Sequence, residues 1–515
     1  MNPFSEKVYL HLREPTEEAP LSDQKRLCQA LAERGYENVT VPLHVLRGLY
    51  PMCREGAVTV TLVYRERDWV VTSIEPGDGR QRQYGLAVDY GSTTIIMQMV
   101  DLNSGAVIGQ EKEINGQVAY GTDILTRITY ALEDPAHMED LQRATAETFN
   151  RLFALLTEST GIDTGDCPIM IVSGNTTMIH FLLKLNAWTV FASPFAPVSA
   201  EPGWFWGREL GMHFTGLLYI IPAASNYIGG DIVSGLLKLD IHKKEETGLF
   251  FDIGTNGELV IGNRDWMMAG AGAAGPALEG YISRYGMRAE PGAIDTVRIR
   301  GNDLSFTTIG GQKPVGICGS GIIDLLAQMR LNGWINIAGE FDPRASSRIV
   351  YLEDEQQYAA VYATAEESAS GAPLFFSQTD IRQYLDTKAA ACTMIECLLE
   401  TAGCQAEDLA HCYLSGAFTA HSDLESAITI GIFPDLPREK YRCITNTSLE
   451  GARILLLDRS RLQEVCRLAE SIYCVQFASI PDFLIRMQGA KFIPHTDLNR
   501  YPSVRDRLMN ASEAK

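Results

Sequence analysis

No Cys-x-x-Cys pair occurs anywhere in the 515 residues, although the chain has 11 cysteines. An odd, scattered set of thiols argues against a disulfide framework and fits mostly buried side chains in a reducing compartment. The densest group, Cys392, Cys397, Cys404 and Cys412, has no common zinc or iron–sulfur spacing, so core thiols are expected there rather than metal ligands. A basic surplus is also missing: 44 Lys and Arg stand against 64 Asp and Glu, a formal charge of −20. Such a surface repels phosphate backbones and anionic lipid, so no nucleic acid and no membrane is expected as a partner, and a phosphorylated ligand needs a local pocket. Met1 to Lys7 has no apolar stretch behind a basic start, and the most apolar run, Leu217 to Leu237, is broken by Asn226, Gly229, Gly230 and Asp231. Neither a leader nor a membrane span is expected, and the expected location is the cytoplasm.

What is present is ordinary globular composition, 46% hydrophobic and 21% charged, on a chain too long for one core. Residues 1–83 read as a small α+β unit. Lys7-Val-Tyr-Leu-His-Leu is a strand, Asp23 to Gly35 a helix, Ala57 to Arg65 with Trp69 to Ile74 a hairpin, and Pro76 to Gln83 a linker. The rest carries an internal duplication, with boundaries at 84–245 and 246–515. Leu86-Ala-Val-Asp-Tyr-Gly-Ser-Thr-Thr94 is an apolar strand running into Asp-x-Gly and hydroxyls, followed by a strand from Ile95 to Leu102 and a turn at Asn103-Ser104-Gly105. Leu249-Phe-Phe-Asp-Ile-Gly-Thr-Asn-Gly257 repeats it, with Glu258 to Ile261 and a return through Trp266 to Ala269. Each copy is followed by a strand ending in Ser-Gly and then a helix. The first is Ile169-Met-Ile-Val-Ser-Gly174 with Thr176 to Leu185; the second is Cys412-Tyr-Leu-Ser-Gly416 with Asp423 through Ile430.

A strand that ends in Asp-x-Gly-Ser/Thr turns tightly at the mouth of a sheet. There Gly91 and Gly254 let backbone approach a ligand, and successive N–H groups form an anion-binding concavity. The hydroxyls of Ser92, Thr93, Thr94 and Thr255 can donate to phosphate oxygens, beside Asn256. A carboxylate next to phosphate requires a cation between them, so Asp89 and Asp252 imply Mg²⁺, held through water. Two facing loops of this kind would clamp a triphosphate. Taken singly, either Asp-Gly turn could merely connect a hairpin; the pair on matched scaffolding favours the clamp.

Gly416, following Ser415, stands where backbone passes close to a flat ligand such as adenine, or where a strand simply ends. Gly319, Ser320 and Gly321 precede an apolar helix, Ile322 to Met329, and offer N–H groups to an anion or to the ribose–phosphate end of a nucleotide. Cys318 beside them reads as a small packing residue. The tract from Ala269 to Glu279 is expected to begin a helix, as close packing or a ligand-facing wall. Asp231 and Glu258 are the best-placed acids for an attacking water, and either could be structural instead.

These motifs resemble a known superfamily. Val88-Asp-Tyr-Gly-Ser-Thr-Thr94, Phe251-Asp-Ile-Gly-Thr-Asn-Gly-Glu258 and Tyr413-Leu-Ser-Gly-Ala-Phe418 look like the two phosphate motifs and the adenosine motif of the sugar kinase, heat-shock ATPase and actin superfamily. Residues from about 84 to 490 more narrowly resemble the ATP-dependent reductive activators of corrinoid proteins. The matches are Asn115-Gly-Gln117, Tyr120-Gly-Thr-Asp123, Gly174-Asn-Thr-Thr-Met178, Ala274-Gly-Pro-Ala-Leu-Glu-Gly280, Gly286-Met-Arg-Ala289, Gly292-Ala-Ile294 and Gly316-Ile-Cys-Gly-Ser-Gly-Ile-Ile-Asp324. Residues 1–83 are similar to the linker region that precedes the ATPase part in that family.

The resemblance implies an α/β fold of duplicated actin-like, ribonuclease-H-like ATPase domains behind a small α+β domain. It implies ATP and Mg²⁺ as ligands and a corrinoid protein of a methyltransferase system as partner. It also implies the activity: returning Co(II) corrinoid to Co(I), with ATP hydrolysis driving a hinge-type change that makes the reduction possible. A homodimer is compatible with it. The sequence departs from the pattern twice. No cysteine set before the ATPase part suits the family's iron–sulfur domain, so no cluster is expected in this chain. The electron then comes from a separate ferredoxin-like protein, or the protein remodels its partner without redox chemistry. Ala417 also replaces the adenosine motif's second glycine. Two competing readings are a nucleotide-gated scaffold that binds a corrinoid protein, and a small-molecule kinase placing a substrate hydroxyl or carboxylate beside Asp231.

Overall fold

Ile169–Gly174 is buried at every position, the mark of a central strand covered on both faces. In the computed structural model, which describes residues 1–54, 56–254, 256–272, 280, 282–416 and 423–513, it lies inside a six-stranded sheet. The order is Val107–Ile114, Thr94–Asp101, Tyr84–Tyr90, Ile169–Gly174, Leu217–Ile220, Gly203–Trp206. The first three strands form an antiparallel meander, and Tyr84–Tyr90 then runs parallel to Ile169–Gly174. Helix Pro135–Thr160 starts on the Asp134 cap, stops at Gly161 with φ 70°, and buries Phe149, Leu152, Phe153 and Leu156 in the same core as Val88 and Met97.

A second sheet repeats the order. Its strands are Tyr441–Cys443, His411–Ser415, Gly248–Ile253, Gly257–Gly262 and Met267–Gly272, with Ile472–Val475 at the edge. The duplication holds at the level of register: Asp89 pairs across the parallel ladder with Ser173, and Asp252 with Ser415. Helix Gln378–Thr401, opened by a Ser377–Asp380 capping box, supplies Ile381, Tyr384, Met394 and Leu398 to the core of this half.

Residues 1–76 build a four-stranded sheet, ordered Ser5–His11, Ala57–Arg65, Asp68–Pro76, Val39–Thr40, against helix Asp23–Ala32. Leu27 and Leu31 of that helix are fully buried against Val60, Leu62 and Val71. The linker that follows is stitched down at its end: Gln83 Nε2 donates to Ser5 O at 3.0 Å and its Oε1 accepts from Lys7 N at 3.1 Å.

The chain separates into two compact units, residues 1–240 with 447–472, and residues 241–446 with 473–515. The sequence boundaries grouped 447–472 with 246–515; in the structure this stretch packs with the first unit. Another expectation is corrected: Ala269 to Gly272 continue the strand Met267–Gly272 and start no helix. Their small side chains serve tight lateral packing, since a Cβ at Gly270 would lie 2.5 Å from Phe477 Cζ and one at Gly272 2.3 Å from Met394 Sδ. Residues 273–279 of that tract lie outside the described residues. Among the described residues, no helix is long and apolar enough to cross a membrane. Burial raises the thiols of Cys392 and Cys397 to about 11 and Cys412 to about 12, as core thiols behave.

Candidate functional site

In the first unit, strand Tyr84–Tyr90 delivers Asp89 to the carboxyl end of its sheet, where its Oδ1 accepts from Ser448 Oγ at 2.8 Å. The turn that follows admits only glycine at its first position, because a Cβ on Gly91 would lie 2.5 Å from Thr94 O. Gly91, Ser92, Thr93 and Thr94 are half-buried, within reach of a ligand. The fully buried Asn115 holds this turn from the far end of the meander. Its Nδ2 donates to Gly91 O at 3.0 Å and its N–H to Thr93 O at 2.9 Å. Behind it, Gln117 Nε2 donates to Thr145 Oγ1 at 2.7 Å and to Tyr90 OH at 3.3 Å, and the buried Arg127 donates to Gly121 O at 2.8 Å. The Asn-Gly-Gln and Tyr-Gly-Thr-Asp segments thus brace the first loop.

Asp231 reaches the same end of the sheet by a different route. Asn175 caps helix Thr176–Leu182, and the Gly229-Gly230 turn lies on that cap so closely that a Cβ at Gly229 would meet Asn175 Cα at 2.6 Å. Helix Gly230–Leu239 therefore starts beside Asp89, with Asp231 in its first turn. Burial, and then the charge of Asp89, push the Asp231 carboxyl up to about 7.

In the second unit, Asp252 lies opposite Ser415 on one side and opposite Glu258 on the other. The corresponding partner of Asp89 is Ile96, so the second acid of each half comes from a different element: Asp231 from a helix, Glu258 from the neighbouring strand. Gly254 N donates to Asn256 O at 2.9 Å to close the turn, and Thr255 lies outside the described residues. Gly416 has φ 98°, and a Cβ there would sit 2.0 Å from Ile253 O and 3.1 Å from Asp252 Oδ1. Backbone and carboxylate meet so closely that only glycine fits. Ala417 is outside the described residues.

Gly319, Ser320 and Gly321 form the first turn of helix Gly319–Leu331, one turn more than the sequence suggested. All three are buried; a Cβ at Gly321 would meet Ile294 O at 2.3 Å. Cys318 caps this helix at 1% exposure, its Sγ 3.3 Å from Ile294 O, in a packing role. Ser173 was read from the sequence only as part of a strand ending in Ser-Gly, and Ser448 and Ser234 were not singled out. Ser448 sits at the start of an ordinary apolar helix, and nothing local marks it.

Three family models cover the chain. The RACo linker region matches residues 1–81, the RACo middle region 84–244, and the C-terminal domain of RACo, the ASKHA domain, 246–505. The chain belongs to the RACo family. Over 425 residues it is 30% identical to the corrinoid activation enzyme RamQ of Eubacterium limosum, spanning 81% of this chain and 71% of that protein. It is 25% identical to a [Co(II) methylated amine-specific corrinoid protein] reductase of Methanosarcina barkeri, over 76% of this chain and 73% of that one. The solved structure of a reductive activator for corrinoid, iron–sulfur protein is 35% identical and superposes with a TM-score of 0.88, covering 98% of this chain and 81% of that one.

The RACo C-terminal domain is an actin-like ATPase fold, which makes nucleotide and Mg²⁺ its expected ligands. The residues present fit them. Burial first, and then the neighbouring charge of Asp89, hold the proton on Asp231 near pH 7, and a divalent cation beside two such acids would offset that charge. The glycine at 91 lets the chain turn so tightly that a Cβ would collide with the Thr94 carbonyl, as a phosphate-binding loop requires.

Proposed function

We propose that this RACo-family protein is an ATP-hydrolysing activator of a corrinoid protein, returning Co(II) corrinoid to Co(I) at the expense of ATP. The observation that carries this reading is the match to a reductive activator along 98% of the chain, at 35% identity and TM-score 0.88. One electron from a separate ferredoxin-like donor reduces each Co(II), while ATP and water yield ADP and phosphate. The partner is a corrinoid protein of a methyltransferase system.

Each residue role follows from the chemistry of its place. Mg²⁺ neutralises phosphate charge when bound, with Asp89 and Asp252 as the acids that hold it through water. Gly91, Ser92, Thr93 and Thr94 cradle phosphate in the first half, and Gly254, Thr255 and Asn256 in the second. Ser415 and Gly416 let backbone lie against the adenosine, and Gly319, Ser320 and Gly321 offer helix N–H groups to its ribose–phosphate end. Asp231 and Glu258 position the attacking water, Asp231 being poised near neutrality to take its proton.

The test is anaerobic ATP hydrolysis with Mg²⁺ and a low-potential reductant, with and without a Co(II)-loaded corrinoid protein from the same cell. Hydrolysis stimulated by the corrinoid protein, with growth of the Co(I) absorption band, is the expected outcome. A slow rate that no corrinoid partner changes would overturn the activator reading and leave a scaffold or a kinase.

A further inference from the structure

Behind Asp89 three serines from three separate elements meet out of solvent: Ser173 from strand Ile169–Gly174, Ser234 from helix Gly230–Leu239 and Ser448 from helix Thr447–Leu457. Their exposures are 0%, 0% and 5%. Ser173 Oγ lies 2.7 Å from Ser234 Oγ and 2.9 Å from Ser448 Oγ, and Ser448 Oγ lies 2.8 Å from Asp89 Oδ1. The direction of these bonds follows from counting protons. An ionised carboxylate only accepts, so the single Ser448 proton goes to Asp89. Ser448 then accepts from Ser173, and Ser173, its own proton committed, accepts from Ser234. The carbonyls of Gly230 and Asp231, 3.1 Å from Ser173 Oγ and 2.9 Å from Ser234 Oγ, share two of these protons as three-centre acceptors.

The packing that creates this run is unusually close. Gly451, one turn beyond Ser448, faces helix Gly230–Leu239 so tightly that a Cβ would lie 1.9 Å from Ser234 O. With any larger residue the two helices would separate, and the serine contacts with them.

We propose that the hydroxyl run from Ser234 through Ser173 to Ser448 orients the Asp89 carboxylate, which makes Ser448 a positioning residue for nucleotide turnover. The proposal rests on the reading of Asp89 as the acid that meets metal and phosphate. A hydrogen bond to an ionised acceptor is about twice as strong as a neutral one, and donors in series polarise one another. Asp89 therefore points one oxygen into the protein at a fixed angle.

The test is a titration of Mg²⁺ against binding of a fluorescent ATP analogue by the full chain, with ATP turnover followed in parallel. Ser448→Ala and Ser448→Cys form the informative pair, because alanine removes the donor and leaves space, whereas cysteine, slightly larger than serine, fills the site and donates only weakly. Both are expected to need roughly tenfold more Mg²⁺ for half-maximal binding, about the worth of one charge-assisted bond, with metal-free binding unchanged. Ser173→Ala should move the midpoint the same way by less, roughly threefold, since it removes only a polarising neighbour. A Ser448→Cys protein with unaltered Mg²⁺ dependence would overturn the proposal, because packing alone would then explain the serine. Asp89→Asn tells the two levels apart. If it changes the Mg²⁺ dependence and the Ser448 variants do not, the hydroxyl run fails while the reading of Asp89 stands. If Asp89→Asn also leaves the dependence intact, the reading of Asp89 fails and the proposal falls with it.

Discussion

Asp231 has two influences working against its charge, the packing around it and the carboxylate of Asp89, and together they lift its pKa from the usual carboxyl range to about 7. In the unfolded chain the same group ionises near pH 4. The folded protein therefore holds a proton here that the unfolded chain has lost. The stability due to this group is complete below about pH 4 and drains away as pH rises to about 7. Asparagine cannot ionise, so Asp231→Asn should melt at a higher temperature than the parent in the absence of nucleotide, by a margin that widens from pH 5 to pH 8. ATP turnover should fall by roughly 10²-fold in the same variant, the usual worth of a positioned acid or base. Thermal melts at the two pH values and a turnover assay check both halves. Stabilisation without loss of turnover would move the water-positioning role to Glu258.

Lys388, in the middle of helix Gln378–Thr401, is fully buried, and its ammonium donates to Ala490 O at 2.6 Å, to Phe492 O at 2.8 Å and to Pro494 O. One side chain thus caps the end of helix Phe483–Ala490 and the turn beyond it. Lys388→Met fills the space and leaves those carbonyls without their donor, which should cost about 3 kcal/mol. Denaturant unfolding would measure the loss, and hydrogen exchange should speed up first around residues 488–496. This anchor has no sequence signature, because a lysine in a helix reads as surface. The legible elements were those whose chemistry is local. Asp89 and Asp252 announce themselves through apolar strands ending in Asp-x-Gly, and the paired Ser173 and Ser415 through strands ending in Ser-Gly. Ala269 to Gly272 proved to be strand because Gly270 and Gly272 are small to suit Phe477 and Met394, partners far along the chain that no local pattern announces. Ser448 was invisible for the same reason: its acceptor Asp89 is 359 residues away.

At the scale of the whole chain, the first unit is completed by residues that arrive late. Helix Thr447–Leu457 buries Leu449, Ala452, Leu455 and Leu456, with Leu456 so close to the sheet that a Cβ at Gly85 would come within 2.9 Å of its Cδ1. The next segment ties the amino terminus down: Asn2 N donates to Leu457 O at 3.0 Å, and Arg459 pairs with Glu6 at 2.7 Å while lying over the Trp69 ring. Burying three leucines contributes on the order of 6 kcal/mol, comparable to the entire stability of a typical domain. A fragment ending at Asp240 should therefore fail to unfold cooperatively, even though it contains every strand of its sheet. Joining residues 447–472 to that fragment through a flexible linker should restore a single sharp transition, observable by circular dichroism. The linker adds loop entropy that grows only slowly with length, so it should not mask the gain. If the fragment ending at Asp240 melts cooperatively without the late segment, the helix is an ornament on a finished domain, and Ser448 loses the structural reason for its place beside Asp89.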